Sequence, residues 1–487
     1  MKLLKDILYK AGMIELRGET GIAIEALYFD SRKVRRESAF IAIRGVETDG
    51  HLYIQKAIDQ GAVAVICEEF PKDFQDGVTY VKVQDAHVAM ANLAANFYDN
   101  PSRDLKLVGV TGTNGKTTTV SLLFELFKKL GYKVGLVSTI VNKIHLRDVP
   151  STHTTPGPIQ LNHLFRQMLN EGVEFCFMEV SSHAVDQKRI EGIEFTGGVF
   201  TNITQDHLDY HKTFKSYIAA KKQFFDELGS KAFALYNHDD PNGSVMVQNT
   251  KAKKFSMAIR SMADYKTKVL ENHFEGLHLS IENKEMYTSL VGLFNAYNLM
   301  TVFAVGDLLG QDHLEMLTAI STLKAVEGRF QFQKSDNNIM VIVDYAHTPD
   351  AIKNVLKTIK DISTGNENII SVVGCGGDRD KDKRPKMAAI ACELSNKVIF
   401  TSDNPRTESP EAIIEDMKKG VEPIHFKKTL SVTDRREAIK TACSLAMPGD
   451  IILIAGKGHE KYQDINGEKF PFDDQKTVNE ILKMLEK

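Results

Sequence analysis

Residues 105–131, LKLVGVTGTNGKTTTVSLLFELFKKLG, place an apolar run, a glycine-bearing turn and an amphipathic helical pattern ending at Gly131 in direct succession. Few folds accept that order. The run reads as a buried strand of a parallel sheet, the turn as the loop at its carboxyl end, and the remainder as a crossover helix. Gly112 and Gly115 let backbone N–H groups and the helix N-terminus face an anion, with Thr113 and Asn114 between them. Lys116 reaches the outer phosphates of a nucleoside triphosphate, and Thr117, followed by Thr118, offers a hydroxyl to magnesium. The general form GxxxxGK[ST] asks for a glycine where Val110 stands, so TGTNGKTT is a tighter variant. GCGGDRD, by contrast, fails the dinucleotide fingerprint, because Arg379 takes the place of its third glycine.

The chain has 487 residues, room for about three domains. Its pattern divides into a small mixed α/β block over 1–100, a larger α/β block over 101–328 that exits through KAVEGRFQF, and a regular block over 329–487. A formal net charge of −3 gives no global basic field, so neither nucleic acid nor an anionic membrane is an expected partner, and an anionic ligand must be held locally. The five cysteines are widely spaced with no CxxC pair, which argues against a disulfide framework or a zinc site. The N-terminus MKLLKDILYKAG interrupts its apolar residues too often for a signal peptide, and no uninterrupted apolar span has membrane length. A reduced, cytoplasmic protein, monomeric, is expected.

In the last block, IMVIVDYAH, IISVVGCGGDRD, KVIFTSDNPR and IILIAGKGHE read as buried parallel strands. Helical patterns near PDAIKNVLKTIK, RPKMAAIACEL, RREAIKTACSLA and KTVNEILKMLEK separate or follow them. Each run ends in a polar loop, and ligands of open parallel sheets bind outside the carboxyl ends of the strands, so four loops are expected to line one crevice. In the middle block, FCFMEVSSH puts Glu179 at the end of a strand, and GGVFTNITQDHLDYH puts Asp206, His207, Asp209 and His211 just after another. Oxygen donors beside a threonine hydroxyl suit magnesium, which keeps waters and substrate phosphates as further ligands.

Taken together in chain order, TGTNGKTTT, EVSSH, TNITQDHLDYH, GLFNAYN, EGRFQ, DYAHTPD, GCGGDRDKDKRP, DNPR and GKGHE resemble the Mur ligases of bacterial peptidoglycan synthesis. The resemblance implies a three-domain α/β fold with a small N-terminal α/β domain that binds a UDP-sugar (1–100), a central P-loop ATPase-like parallel sheet that binds ATP (101–328), and a C-terminal Rossmann-like domain that binds an amino acid (329–487). It implies ATP-driven amide formation through an acyl phosphate, with phosphoryl transfer aided chiefly by positioning and charge neutralisation. Thr117 and Glu179 would serve one Mg2+ and His207 a second. Lys221 would be carbamylated by carbon dioxide to N6-carboxylysine and help place the second metal. Asn298, Arg329 and Asp344, with Asn295, would hold ATP. Ser31, Thr154, Thr155, Ser181, Gln187 and Arg189 would hold the UDP-sugar peptide. Arg379, Asp403, Asn404, Arg406, Gly456 and Glu460 would hold the amino acid. Within the family, DNPR accompanies enzymes that add meso-diaminopimelate to UDP-N-acetylmuramoyl-L-alanyl-D-glutamate. Addition of L-lysine and a folylpolyglutamate synthetase-like ligase are the alternatives, and a P-loop switch module without synthetic chemistry is a third.

Overall fold

The computed structural model describes residues 1–487 apart from 46, 47 and 152. The side chain of Asp209, one of the expected oxygen donors, also lies outside the described residues.

The first block folds as a five-stranded sheet from strands β1 (Met13–Arg17), β2 (Ala26–Tyr28), β3 (Ser38–Ile41), β4 (Ala62–Cys67) and β5 (Thr79–Val83), in the order β1-β5-β4-β3-β2. Only β1 runs antiparallel to its neighbour. An alanine-rich helix over Ala86–Phe97, which the sequence reading did not assign, follows it, and Asp85 caps that helix by accepting from the N–H groups of His87 and Val88.

The middle block carries an eleven-stranded sheet. Its strands are β6 (Lys106–Thr111), β7 (Val134–Val137), β8 (Asn142–Ile144), β9 (Arg147–Val149), β10 (Phe175–Glu179), β11 (Gly197–Phe200), β12 (Phe233–Asn237), β13 (Lys253–Ala258), β14 (Tyr265–His273), β15 (Gly276–Ile281) and β16 (Lys284–Thr288), in the order β9-β8-β7-β10-β6-β11-β12-β13-β14-β15-β16. The seven strands from β7 to β14 form the expected parallel sheet, and antiparallel hairpins extend it at both edges. The physical reason is coverage: β15 alternates buried and half-buried residues, the pattern of a strand with only one face in the core. On the covered part, helix α1 (Lys116–Lys129) buries Val120, Leu123 and Phe127 against helix α3 (Leu293–Leu308) and the strands. Helix α2 (Phe214–Asp226) buries Tyr217, Phe224 and Phe225 in the opposite layer.

In the last block β17 (Gln331–Lys334), β18 (Met340–Asp344), β19 (Ile369–Cys375), β20 (Lys397–Ser402), β21 (Thr429–Ser431) and β22 (Ile451–Ala455) form a sheet ordered β17-β18-β22-β19-β20-β21. The four apolar runs are four of its five adjacent parallel strands, β21 being the fifth, and all seven residues of β19 are buried. Helix α4 (Pro349–Ile362) shows why these elements form. Thr348 caps it through the Ala351 N–H and Pro349 occupies its first position. Its buried Ile352, Val355, Leu356, Ile359 and Ile362 recur on one stripe, each side chain worth about 1.5–3 kcal/mol on burial. Helices α5 (Lys383–Leu394), α6 (Pro410–Lys418), α7 (Arg435–Leu445) and α8 (Asp474–Met484) complete the two layers, and a hairpin of β23 (Tyr462–Ile465) and β24 (Glu468–Pro471) lies beyond β22. All five cysteines are free and buried. No helix among the described residues is long and apolar enough to cross a membrane.

Candidate active site

The loop after β6 lies against the loop after its neighbour β11. Gly112 has φ +151°, and a Cβ there would stand 2.0 Å from Thr201 Oγ1, so only glycine fits. A Cβ on Gly115 would meet Asn298 Oδ1 at 2.9 Å. The Asn114 N–H donates to Asn202 Oδ1 at 2.9 Å, and Thr113 Oγ1 accepts from the Thr204 N–H at 3.0 Å. Lys116 Nζ donates to the carbonyls of Gly112 and Thr113, at 2.9 and 2.8 Å, which holds the ammonium over the loop. Burial lowers its pKa, while Glu179 and Asp206 act in the opposite sense. Thr117 and Thr118 are buried in the first turn of α1.

Glu179, at the end of β10, has no exposed surface. Its Oε1 accepts from the Thr139 N–H at 2.8 Å and its Oε2 from Thr139 Oγ1 at 3.2 Å. Thr139 escaped the sequence reading. Its signal was its place just after β7, the parallel neighbour of β10, where a loop residue faces the same crevice. Thr139 Oγ1 also lies within hydrogen-bond distance, 3.0 Å, of Thr154 Oγ1. Thr155 Oγ1 donates to Glu179 O and accepts from the Ser181 N–H. Arg189 donates to Thr155 O and to Gln187 Oε1. Thr154, Thr155, Ser181, Gln187 and Arg189 are thus one cluster. Ser31, buried in the N-terminal block at the start of a 3-10 turn, shares no hydrogen bond with them among the described residues.

His207 has the left-handed φ of +54° and donates its N–H to Asp206 Oδ1 at 2.8 Å. Burial lowers its pKa to about 4, leaving a neutral imidazole at neutral pH despite the Asp206 carboxylate. Lys221 is buried beneath the phosphate loop and donates to Gly112 O at 2.9 Å. Burial, reinforced by Lys116, pushes its pKa well down. Among the described residues no three His, Cys, Asp or Glu side chains gather as a metal cage. A hydroxyl, a carboxylate and a neutral imidazole around a phosphate loop fit a magnesium ion that takes its other ligands from water and phosphate. A lysine amine does not fit such a site, whereas its carbamate does.

Arg329 crosses from the last block. Its Nη2 donates to Thr117 Oγ1 at 3.2 Å, and its guanidinium lies 4.6 Å from the Tyr345 ring centroid. Asp344, ending β18, accepts from the Phe330 N–H at 2.6 Å. Asn298 accepts from Thr119 Oγ1 and donates to Asn295 Oδ1. Asp350, another residue missed in sequence, accepts from Asn114 Nδ2 at 2.8 Å and Thr204 Oγ1 at 3.0 Å.

The four loops of the last block also converge. A Cβ on Gly456, whose φ is +120°, would stand 2.3 Å from Asp403 Oδ2. A Cβ on Gly376 would meet Arg406 Nη1 at 2.9 Å and Arg379 Cγ at 3.9 Å. Arg406 Nη1 donates to Gly377 O at 2.7 Å. Glu408 accepts from Arg384 and pairs with Lys381. Asn404 Nδ2 donates to Glu460 Oε2 at 2.7 Å. Burial raises the Glu460 pKa, and Asp403 adds to it. Lys457 and the hairpin of β23 and β24, absent from the expected set, also line this group through Asn404.

Family models described as Mur ligase middle domain, Mur ligase glutamate ligase domain and Mur ligase family catalytic domain match residues 110–306, 328–458 and 23–98. A UDP-N-acetylmuramoyl-L-alanyl-D-glutamate--2,6-diaminopimelate ligase of Cytophaga hutchinsonii is 54% identical over 485 residues, 99% of this chain and 100% of its own. The chain belongs to the Mur ligase family. A Bacteroides fragilis relative of the same name is 51% identical over 99% of each chain. Among solved structures, a UDP-N-acetylmuramoyl-L-alanyl-D-glutamate--2,6-diaminopimelate ligase aligns over 100% of this Mur ligase and 99% of its own chain, with TM-score 0.70 and 31% identity. The three large sheets of this Mur ligase are therefore the family's architecture.

Proposed function

We propose that this Mur ligase joins meso-diaminopimelate to UDP-N-acetylmuramoyl-L-alanyl-D-glutamate in an ATP-dependent, ADP-forming reaction. The observation that carries the amino-acid assignment is the crevice of the last block, where the loop that bears Arg406, whose Nη1 lies over Gly376, also turns Asp403 toward Gly456 and Asn404 toward the Glu460 carboxylate. Meso-diaminopimelate differs from L-lysine by a carboxylate next to its far amine. A planar guanidinium pairs with that carboxylate, and an acidic side chain receives the amine. In lysine the first partner has nothing to bind.

The three blocks take the roles 1–100 for the UDP-sugar, with Ser31, 101–328 for ATP and 329–487 for the amino acid. The cluster of Thr154, Thr155, Ser181, Gln187 and Arg189 holds the peptide end of the nucleotide substrate. Its glutamate carboxylate attacks the γ-phosphorus of ATP, giving an acyl phosphate and ADP. The amine of the incoming amino acid then attacks the acyl carbon and expels phosphate. Lys116 neutralises charge on the transferring phosphoryl group, and Arg329 fixes the nucleotide from the last block, with Asn295, Asn298 and Asp344 around the base and ribose. Magnesium, when bound, supplies charge neutralisation to the phosphate oxygens, and Thr117, Glu179, His207 and carbamylated Lys221 are the residues to hold it. The carbamate forms by attack of the neutral Lys221 amine on carbon dioxide with loss of one proton. Labelled bicarbonate is expected to give a carbamate carbon signal that disappears in Lys221→Ala; a wild type without that signal excludes the modification.

ADP release with UDP-MurNAc-dipeptide and a panel of amino acids tests the whole reading. Meso-diaminopimelate is expected to support turnover well above L-lysine, and Arg406→Ala to lose about ten- to a hundredfold with meso-diaminopimelate alone. Equal use of both amino acids by the wild type excludes the assignment.

A further inference from the structure

Lys457, between the expected pocket residues Gly456 and Glu460, has no exposed side-chain surface. An ammonium withdrawn from water is costly unless acceptors and counter-charges surround it. Here Asn404 Oδ1 accepts from Lys457 Nζ at 2.8 Å, Glu460 Oε2 lies at 3.5 Å and Asp403 Oδ1 at 3.9 Å. The Tyr462 ring centroid is 5.6 Å away. Asn404 Oδ1 takes a second donor, the Asp464 N–H at 3.0 Å, so the amide cannot flip without opposing two donors with its own NH2. That NH2 is thereby left to Glu460 Oε2 at 2.7 Å. Tyr345 and Arg435 are further titratable or charged groups packed against these side chains. Tyr345 OH lies 3.5 Å from Glu460 Oε1, and Arg435 is paired with Asp474 while donating to Ser402 O and Ala455 O beneath the same loops.

Building on the reading of this crevice as the amino-acid pocket, we propose that Lys457 is its positioning residue. It locks the Asn404 amide with the NH2 toward Glu460, and it stands between the Asp403 and Glu460 carboxylates so that both are oriented for one ammonium group of the incoming amino acid. Lys457 acts through these three side chains.

Two variants separate hydrogen bond from charge. Lys457→Met removes both, and Lys457→Gln keeps a donor for Asn404 without the charge. In the ADP-release assay Lys457→Met is expected to raise KM for meso-diaminopimelate about ten- to a hundredfold. Its kcat should stay within about threefold, with KM for ATP and for UDP-MurNAc-dipeptide unchanged. Lys457→Gln is expected to recover part of the loss, and it carries the comparison should Lys457→Met not fold. An unchanged KM for the amino acid in the folded variants, or equal losses for all three substrates, overturns the proposal. A second readout needs no substrate. The Asn404 side-chain amide signal in protein labelled at asparagine nitrogen, assigned with Asn404→Asp, should shift and exchange faster with solvent in Lys457→Met. An identical signal overturns the locking role. If the wild type releases ADP with no amino acid, the ligase reading fails by itself, and the amide signal still decides the role of Lys457.

Discussion

Lys116 and Arg406 show two ways in which a single residue acquires its task. Lys116 follows Gly115 at the start of α1, and two carbonyls of its own loop hold its ammonium where phosphate charge would develop. Lys116→Ala removes that charge and leaves the apolar face of α1 untouched. Turnover is expected to fall about a hundredfold or more with the melting temperature essentially retained, as read by ADP release and calorimetry. A folded Lys116→Ala protein with near-normal turnover would exclude the phosphate-site assignment. Arg406 instead depends on its surroundings. Its φ of +52° is unfavourable for a residue with a Cβ, and it is held there by a bridge to Ile465, with its N–H donating to Asp464 O and its carbonyl accepting from Asn466. The DNPR tetrapeptide announces the arginine, but the hairpin that fixes its backbone lies some sixty residues further on.

At the scale of elements, the loops of the last sheet are braced from below by ion pairs. Arg384, buried in the first turn of α5, donates to Glu408 at 2.7 and 3.0 Å and to Asp416 of α6 at 2.9 Å. Glu408 in turn accepts from the Asp378 N–H at 2.7 Å, tying the GCGGDRD loop to the DNPR loop. The Arg384 hydrogen bonds lower the Glu408 pKa from 4.5 to about 2. A carboxyl depressed in the folded state adds stability that is complete above its unfolded value and is lost as pH falls through its folded value. Glu408→Gln is therefore expected to be less stable than wild type at neutral pH, with a deficit that shrinks as pH drops from about 4.5 toward about 2. Denaturant titrations across that window check it, and a deficit independent of pH would show that the pair contributes no charge stabilisation.

At the scale of the whole molecule, the phosphate loop and the last domain share a small set of polar contacts. Asp350, in the first turn of α4, joins Asn114 and Thr204, and Arg329 joins Thr117. Val291, ahead of α3, is buried in the core of the last block with Ile352 and Leu356. Two hydrogen bonds to a half-buried carboxylate are worth about 1–3 kcal/mol together. That is enough to shift an arrangement of domains whose states differ by a few kcal/mol. Asp350→Ala is expected to enlarge the radius of gyration measured by small-angle scattering without ligands and to lower kcat/KM for ATP, with each domain still folded. A scattering profile identical to wild type would remove Asp350 from domain closure.

The local pattern alone specified the strand, glycine turn and helix around residues 112–116, four of the five parallel strands of the last block and the helices between them. Glycine positions, apolar runs and helical periodicity are properties of neighbours in the chain. Motif order extended that reading to Glu179, His207 and the DNPR and GKGHE loops, whose chemistry is carried by residue type. The antiparallel edges of the central sheet were not legible, because an edge strand is defined by what covers it. Thr139, Asp350 and Lys457 were not legible either: each is an ordinary polar residue until a partner distant in sequence meets it, as Glu179, Asn114 and Asn404 do. Only the tertiary structure brings the carboxyl ends of separate strands to one crevice, and burial there gives Lys221, His207 and Glu460 properties that their side chains do not have in water.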